Sequence, residues 1–222
     1  MTHIRTSDQK GIFNLGINDY TCNWGAHICG FYKTPEERDE IVFNYVHAGN
    51  VPTDFVLIAV EPDEQATFAK RILNFFPEDR TFIEDGKQCM LSPNQDLYYP
   101  NGTFDPWEME IALTKTYQEV LRKGYQNTRG VADMIWAKKA IPGKKWLMAY
   151  EARLNLFIKG KNWASFCLYD ITRFSGEIII QALQTHPFVM NAGKLTENQY
   201  YIKPETWLQE NAPEFLTPHR HN

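Results

Sequence analysis

No apolar stretch in this sequence approaches the roughly 20 residues a helix needs to cross a bilayer, which excludes a helical membrane span. The opening residues, Met1 to Lys10, lack the apolar segment of a secretory signal. A cytoplasmic location is therefore expected. Basic residues run no longer than pairs such as Lys138-Lys139 and Lys144-Lys145, and the formal net charge is -4. That is poor material for tracking a phosphate backbone and argues against direct nucleic-acid binding. Cys22, Cys29, Cys89 and Cys167 are scattered, and in a reducing compartment they are expected as free thiols. The G-x-S-x-G elbow, H-E-x-x-H, the dinucleotide fingerprint and the P-loop are all missing, so no enzyme is expected. Glu61 to Gln65, which follows a strand-like run, has neither glycine nor lysine and cannot wrap a phosphate.

What is present describes an ordinary folded core. Hydrophobic residues make up 43% and aromatics 14% of 222 residues. Thr34-Pro35-Glu36-Glu37 reads as a helix start, with cap, proline and first-turn acids in order. That helix is expected to reach His47. Asp54 to Val60 is an unbroken apolar run, the signature of a strand buried on both faces. A helix over 64–76, a short strand over 88–91 and a loop over 94–106 follow. Asp105-Pro106 then opens a helix to Gly124, Arg129 to Trp136 reads as a strand, and 146–159 reads as an amphipathic helix. The alternation argues for a single α/β domain with a mainly parallel sheet flanked by helices. The expected division is an N-terminal arm over 1–19, one domain over 20–210 and a C-terminal tail over 211–222.

Trp163 to Pro187 is the most informative stretch. Its first half reads as a buried strand with Tyr169, Asp170 and Arg173 at the end; Glu177 to Gln184 reads as a helix, and His186-Pro187 closes the unit. Ligands in open α/β sheets sit beyond the carboxyl ends of strands, which makes that polar cluster the first candidate site. His27 and Cys29 are two apart and share a strand face. If the sheet brings them to Cys167 and His186, the four form a two-Cys, two-His set able to hold zinc or another thiophilic ion. Their wide spacing departs from the close pairs of structural zinc motifs, and small buried cysteines are the ordinary alternative. Glu151 and Asn155 share a helix face, and Arg153 lies on another. Arg153 is expected either to pair with an acid such as Asp170 or to touch a ligand. Trp24, Phe31, Tyr32, Trp136, Phe166 and Tyr169 fit a small apolar pocket or an ordinary core.

Four blocks, in order, resemble a known family: His27 to Tyr32, Tyr150 to Asn155, Phe166 to Asp170, and Thr185 to Pro187 followed by Asn198 to Tyr201. Together they are similar to the methanogen/methylotroph sensory domain (MEDS), found in a dichloromethane-responsive repressor and beside histidine kinases. The resemblance implies a RecA/KaiC-like core without its P-loop and a sensory role toward one- or two-carbon hydrocarbon derivatives. It implies output through a signalling partner, a histidine kinase or transcription regulator, or through a homo-oligomer. The expectation is thus a stand-alone cytoplasmic sensory domain with no cofactor. Its small organic ligand would be held by His27, Cys29, Tyr32, Tyr169, Asp170 and His186, with Arg153 in support. A Cys/His metal- or redox-sensing module and a ligand-free RecA-like interaction module remain the other readings.

Overall fold

The computed structural model describes residues 11–217 and, as backbone, His3–Ile4. The rest of the expected N-terminal arm, and the tail around His219 to His221, lie outside the described residues. β1 (His3–Ile4), β2 (Ile12–Asn14) and β3 (Thr21–Asn23) form a small sheet in the order β1-β3-β2. Residues 11–19 therefore do not form the irregular arm expected of them, because Phe13 and Leu15 are buried. A strand of three residues is too short to show a period, and the glycines around it look like interruptions.

β4 (His27–Tyr32) opens the main sheet. α1 (Pro35–His47) follows as expected, its Glu37 N–H donating to the Thr34 hydroxyl at 3.2 Å. β5 (Asp54–Val60) is buried at every position. Next come α2 (Gln65–Phe75), α3 (Arg80–Glu84) and β6 (Cys89–Pro93). The expected loop over 94–106 begins instead with α4 (Asn94–Tyr98), which buries Tyr98. α5 (Pro106–Arg122) is capped by Asp105, whose carboxylate accepts from two backbone N–H groups. β7 (Asn127–Asp133) ends before Trp136, because the Asp133 carboxylate accepts the Ile135 N–H and turns the chain into a 3-10 turn over Met134–Lys138. α6 (Leu147–Ile158), β8 (Trp163–Asp170), α7 (Gly176–Thr185), β9 (Phe188–Asn191), β10 (Lys194–Glu197) and α8 (Pro204–Asn211) complete the order. Beyond α8, Ala212 and Phe215 are buried, so the first part of the expected tail packs on the core.

The main sheet runs β10-β9-β4-β8-β7-β5-β6. Every neighbouring pair is parallel except the β9–β10 hairpin. Because parallel crossovers share one hand as a rule, reversing the direction of travel along the sheet places the helices in two layers. The chain moves outward from β4 to β5 and β6, and Ile41 of α1, Phe68 of α2 and Phe82 of α3 pack on one face. It then returns through β7 and β8 to β9, and Met109 of α5, Leu154 of α6 and Ala182 of α7 pack on the other. On that second face, α6 departs from the amphipathic expectation: every residue from Leu147 to Leu154 is buried. A helix apolar nearly all round belongs inside a core, and any polar side chain it carries must find partners there.

Candidate functional site

Glu151 and Arg153 are the buried charged side chains of α6, and Glu151 is the one at the centre of the site. It has no solvent exposure and projects from α6 toward the sheet, where four groups from β4, β8 and the α7–β9 junction meet it. His27, at the start of β4, brings Nε2 to 3.2 Å from Glu151 Oε2. His186, between α7 and β9, brings Nε2 to 3.5 Å from the same oxygen. Cys167, in mid-β8, points Sγ at that oxygen from 3.5 Å and at His27 Nε2 from 3.6 Å. Tyr169, two residues along β8 on the same face, donates its hydroxyl to the other oxygen, Oε1, at 2.7 Å. The two imidazole rings lie with centroids 3.9 Å apart.

The far sides of both rings are also fixed. His186 Nδ1 lies 2.8 Å from the Ala182 carbonyl, which can only accept, so Nδ1 carries the proton. His27 Nδ1 faces Asn155 Oδ1 at 3.2 Å. The Asn155 amide cannot be turned the other way, because Nδ2 already donates to the carbonyls of Glu151, Ala152 and Thr185. His27 Nδ1 is therefore a donor too. Burial, reinforced by the neighbouring His186, lowers the His27 pKa to about 4 against the pull of Glu151. Burial raises the Glu151 carboxyl, and only a ring that carries a proton on Nε2 would pull it back below its ordinary range. Burial and the adjacent Glu151 push the Cys167 thiol well up.

The seven residues expected to share one pocket fall in different places. His27, Tyr169 and His186 converge on Glu151. Cys29 lies on the same strand face as His27 but two residues further along, and its Sγ contacts the Phe188 carbonyl at 3.6 Å. It is not among the four donors that lie within 4.8 Å of one another, which are His27, Glu151, Cys167 and His186. Glu151 takes the position the sequence reading gave to Cys29. Arg153 is elsewhere: it pairs with Glu110 and not Asp170, donates to the Phe215 carbonyl, and stacks its guanidinium 3.6 Å over Trp107. Asp170 instead caps its own turn, accepting from the Thr172 N–H at 2.8 Å and from its hydroxyl. Glu151 was visible in the sequence only as a helix-face partner of Asn155. Its setting in an almost wholly apolar helix was the overlooked signal.

The carboxyl edge of the sheet, where a ligand was first sought, is a charged basin of about 390 Å³ lined by Tyr32, Arg38, Asp133 and Asp170 among others. Arg38 reaches Asp133 at 3.1 Å, and the Tyr32 hydroxyl donates to the same carboxylate at 2.9 Å. Burial raises Asp133 to about 6, against the pull of Arg38 and the Tyr32 hydrogen bond. Glu64 also faces this Arg38, and Asp170 faces Tyr32. A folded-state value above the unfolded one means the folded chain holds a proton the unfolded chain lacks between about pH 4 and pH 6. This group's contribution to stability is present below that window and falls as pH rises through it, by ~3 kcal/mol at most. Asp133→Asn should therefore gain relative to the unmodified chain between pH 4 and pH 7 in urea denaturation. A stability difference that stays flat with pH contradicts the assignment.

A second space opens on the Glu151 side of the sheet. It is a cavity of about 30 Å³ lined by Leu57, Leu113, Gly130, Ala132, Leu154 and Cys167 among others. A water needs roughly 10–15 Å³ by this measure, so there is room for two or so water-sized groups. The lining is mostly apolar, and Cys167 joins it to the buried cluster.

In P-loop folds a glycine-rich loop links a strand to the helix that follows it. Here β4 passes to α1 through Lys33 and Thr34 alone, with no glycine. The sequence matches the family described as MEDS, "MEthanogen/methylotroph, DcmR Sensory domain", over residues 26–187. It is 25% identical over 162 residues to the transcriptional repressor DcmR of Methylorubrum extorquens (strain DSM 6343 / CIP 106787 / DM4), covering 72% of this chain and 57% of the repressor. The chain thus spans little more than half the length of that curated relative. Among solved structures, a KaiC-like protein from Pyrococcus horikoshii OT3 superposes with a TM-score of 0.54 at 12% identity, covering 81% of this chain and 76% of that one. A type III secretion ATPase from pathogenic bacteria gives 0.55 at 11% identity, covering 85% and 57%. These likenesses show a RecA/KaiC-like fold. Among the described residues, no helix is long and apolar enough to cross a membrane.

Proposed function

The chain belongs to the MEDS family, and from that premise we propose that it is a non-catalytic sensory domain binding a neutral one- or two-carbon organic molecule beside Cys167. The cavity carries this reading: its volume of about 30 Å³ suits a few heavy atoms, and its lining is mostly apolar. An ammonium ion would lose its hydration there without a compensating carboxylate in the lining, at a cost far above that of a neutral group. Halocarbons and small alcohols are therefore favoured over protonated amines. Ligand efficiency near ~1.5 kcal/mol per heavy atom limits a three-atom ligand to about millimolar affinity.

A sensor of such weak ligands needs an element with two arrangements, since a ligand shifts an equilibrium only by its differential affinity. Cys167 sits where cavity and buried cluster meet, so occupancy reaches Glu151 within α6, both histidines and the end of α7. The proposed output passes in the cytoplasm to a protein partner, a histidine kinase or transcription regulator. The relative's name, a transcriptional repressor, supports the second.

Thermal unfolding in dichloromethane, methanol and, as a charged control, methylammonium tests the ligand class. A saturable rise is expected for a neutral compound, equivalent to about 1.4 kcal/mol at ten times its Kd. No rise for any neutral compound, or an equal rise with methylammonium, would remove the reading.

A further inference from the structure

We propose that His27, Glu151, Cys167 and His186 form a four-coordinate binding site for a divalent transition metal of the zinc class. This goes beyond the organic ligand, and the two proposals share only Cys167.

Donor geometry is the first argument. Around a tetrahedral zinc ion, with bonds of ~2.0–2.3 Å, neighbouring donor atoms lie about 3.3–3.7 Å apart. Glu151 Oε2 lies 3.2 Å from His27 Nε2, 3.5 Å from His186 Nε2 and 3.5 Å from Cys167 Sγ, with Sγ 3.6 Å from His27 Nε2. All four donors lie within 4.8 Å of one another. They come from β4, α6, β8 and the α7–β9 junction, so the folded core holds them in place with no mobile loop involved.

The hydrogen bonds behind the donors give the second argument. Each imidazole spends Nδ1–H on a fixed oxygen, Asn155 Oδ1 for His27 and the Ala182 carbonyl for His186. Metal-bound histidines are oriented in just this way, by an acceptor on the nitrogen that does not bind the ion. Each Nε2 then presents a bare lone pair to a carboxylate oxygen. His186 Nε2 is fully buried and has no hydrogen-bond partner. Tyr169 occupies Glu151 Oε1 at 2.7 Å, which leaves Oε2 as a single donor. Several electron pairs aimed at one point in a dry core are satisfied by a cation.

Charge closes the argument. Binding forms four coordinate bonds and breaks the Cys167 S–H bond, releasing one proton to solvent. A divalent ion with one thiolate, one carboxylate and two neutral imidazoles sums to zero, the least costly state for a buried site. The mixed nitrogen, sulfur and oxygen set suits zinc or cobalt over the hard ions magnesium and calcium.

The test uses the full chain purified without chelator, then stripped and titrated with Co²⁺. One equivalent of zinc is expected as purified. Cobalt should give the visible bands of a tetrahedral ion together with a thiolate charge-transfer band in the near ultraviolet. Cys167→Ser should abolish the charge-transfer band and Cys29→Ser should keep it, with circular dichroism reporting that both fold. Zinc-edge X-ray absorption of the unmodified chain needs no variant and should show one sulfur and two imidazoles. Substoichiometric metal with no cobalt band, a band lost with Cys29 in place of Cys167, or a zinc shell without sulfur each overturns the site.

Discussion

Arg129→Ala is expected to destabilise the fold by about 3–5 kcal/mol, the typical cost of removing one partner from a buried ion pair. Arg129 is 2% exposed, and its Nε lies 2.8 Å from Asp54 Oδ2. Its Nη1 donates to the Asn14 carbonyl at 2.8 Å. The guanidinium also sits 4.8 Å from the Phe13 ring centroid and 5.6 Å from those of Trp24 and Tyr45. One side chain thus ties the small sheet to the main one. Truncation leaves the buried Asp54 carboxyl without its cation, with Asn127 Nδ2 at 2.7 Å and the Thr53 hydroxyl at 3.0 Å as its remaining side-chain donors. Urea denaturation measures the loss. The double variant Arg129→Met with Asp54→Asn should recover part of it, because apolar replacement of both members of a buried pair is often neutral. A single-variant loss under ~1 kcal/mol, the scale of an exposed pair, contradicts this account.

Trp136→Ala should cost a similar ~3–5 kcal/mol. Trp136 has no solvent exposure and stacks on Tyr98 at 4.8 Å and 22°, with Phe104 at 4.9 Å and Tyr99 at 5.7 Å. Removing it leaves a large void under α4 and frees Tyr98, which lines the cavity beside Cys167. Trp136→Phe keeps an aromatic ring there and removes Nε1, which has no partner, so its loss should be clearly smaller. Equal losses for the two variants would show that the stacking contributes little.

Fold and site differ in how far the sequence revealed them. Thr34 and Asp105 announce their helices because a cap acts within four residues, and β5 is legible because a strand buried on both faces needs an unbroken apolar run. β2 and β3 escape because three residues carry no period, and their burial depends on Arg129, more than a hundred positions away. The site follows the same logic. His27 and His186 were drawn into one set with Cys167 from their residue types, and β4, β8 and the α7–β9 junction do bring them together. Glu151 was passed over because nothing local distinguishes a buried glutamate from a solvated one. Only the apolar character of α6 on all sides betrays it. Tyr32 and Asp170 share the carboxyl edge of the sheet, while the cluster lies toward the amino end of β4. That division depends on strand register and on Tyr169 reaching back to α6, and neither is written in any single stretch.

The central claim, a small neutral ligand in the cavity beside Cys167, is tested most directly by calorimetric titration of dichloromethane into the unmodified chain and into Gly130→Ala. A Cβ on Gly130 would meet Trp163 Nε1 at 3.4 Å and Ala164 O and Ser165 Oγ at 3.7 Å, which are ordinary contacts. The variant should therefore fold with unchanged or slightly raised stability, by up to ~1 kcal/mol. The added methyl takes up space in a cavity of about 30 Å³. The account predicts saturable binding heat in the unmodified chain and none in the folded variant. Equal affinity in the two, or no binding in either, would contradict it.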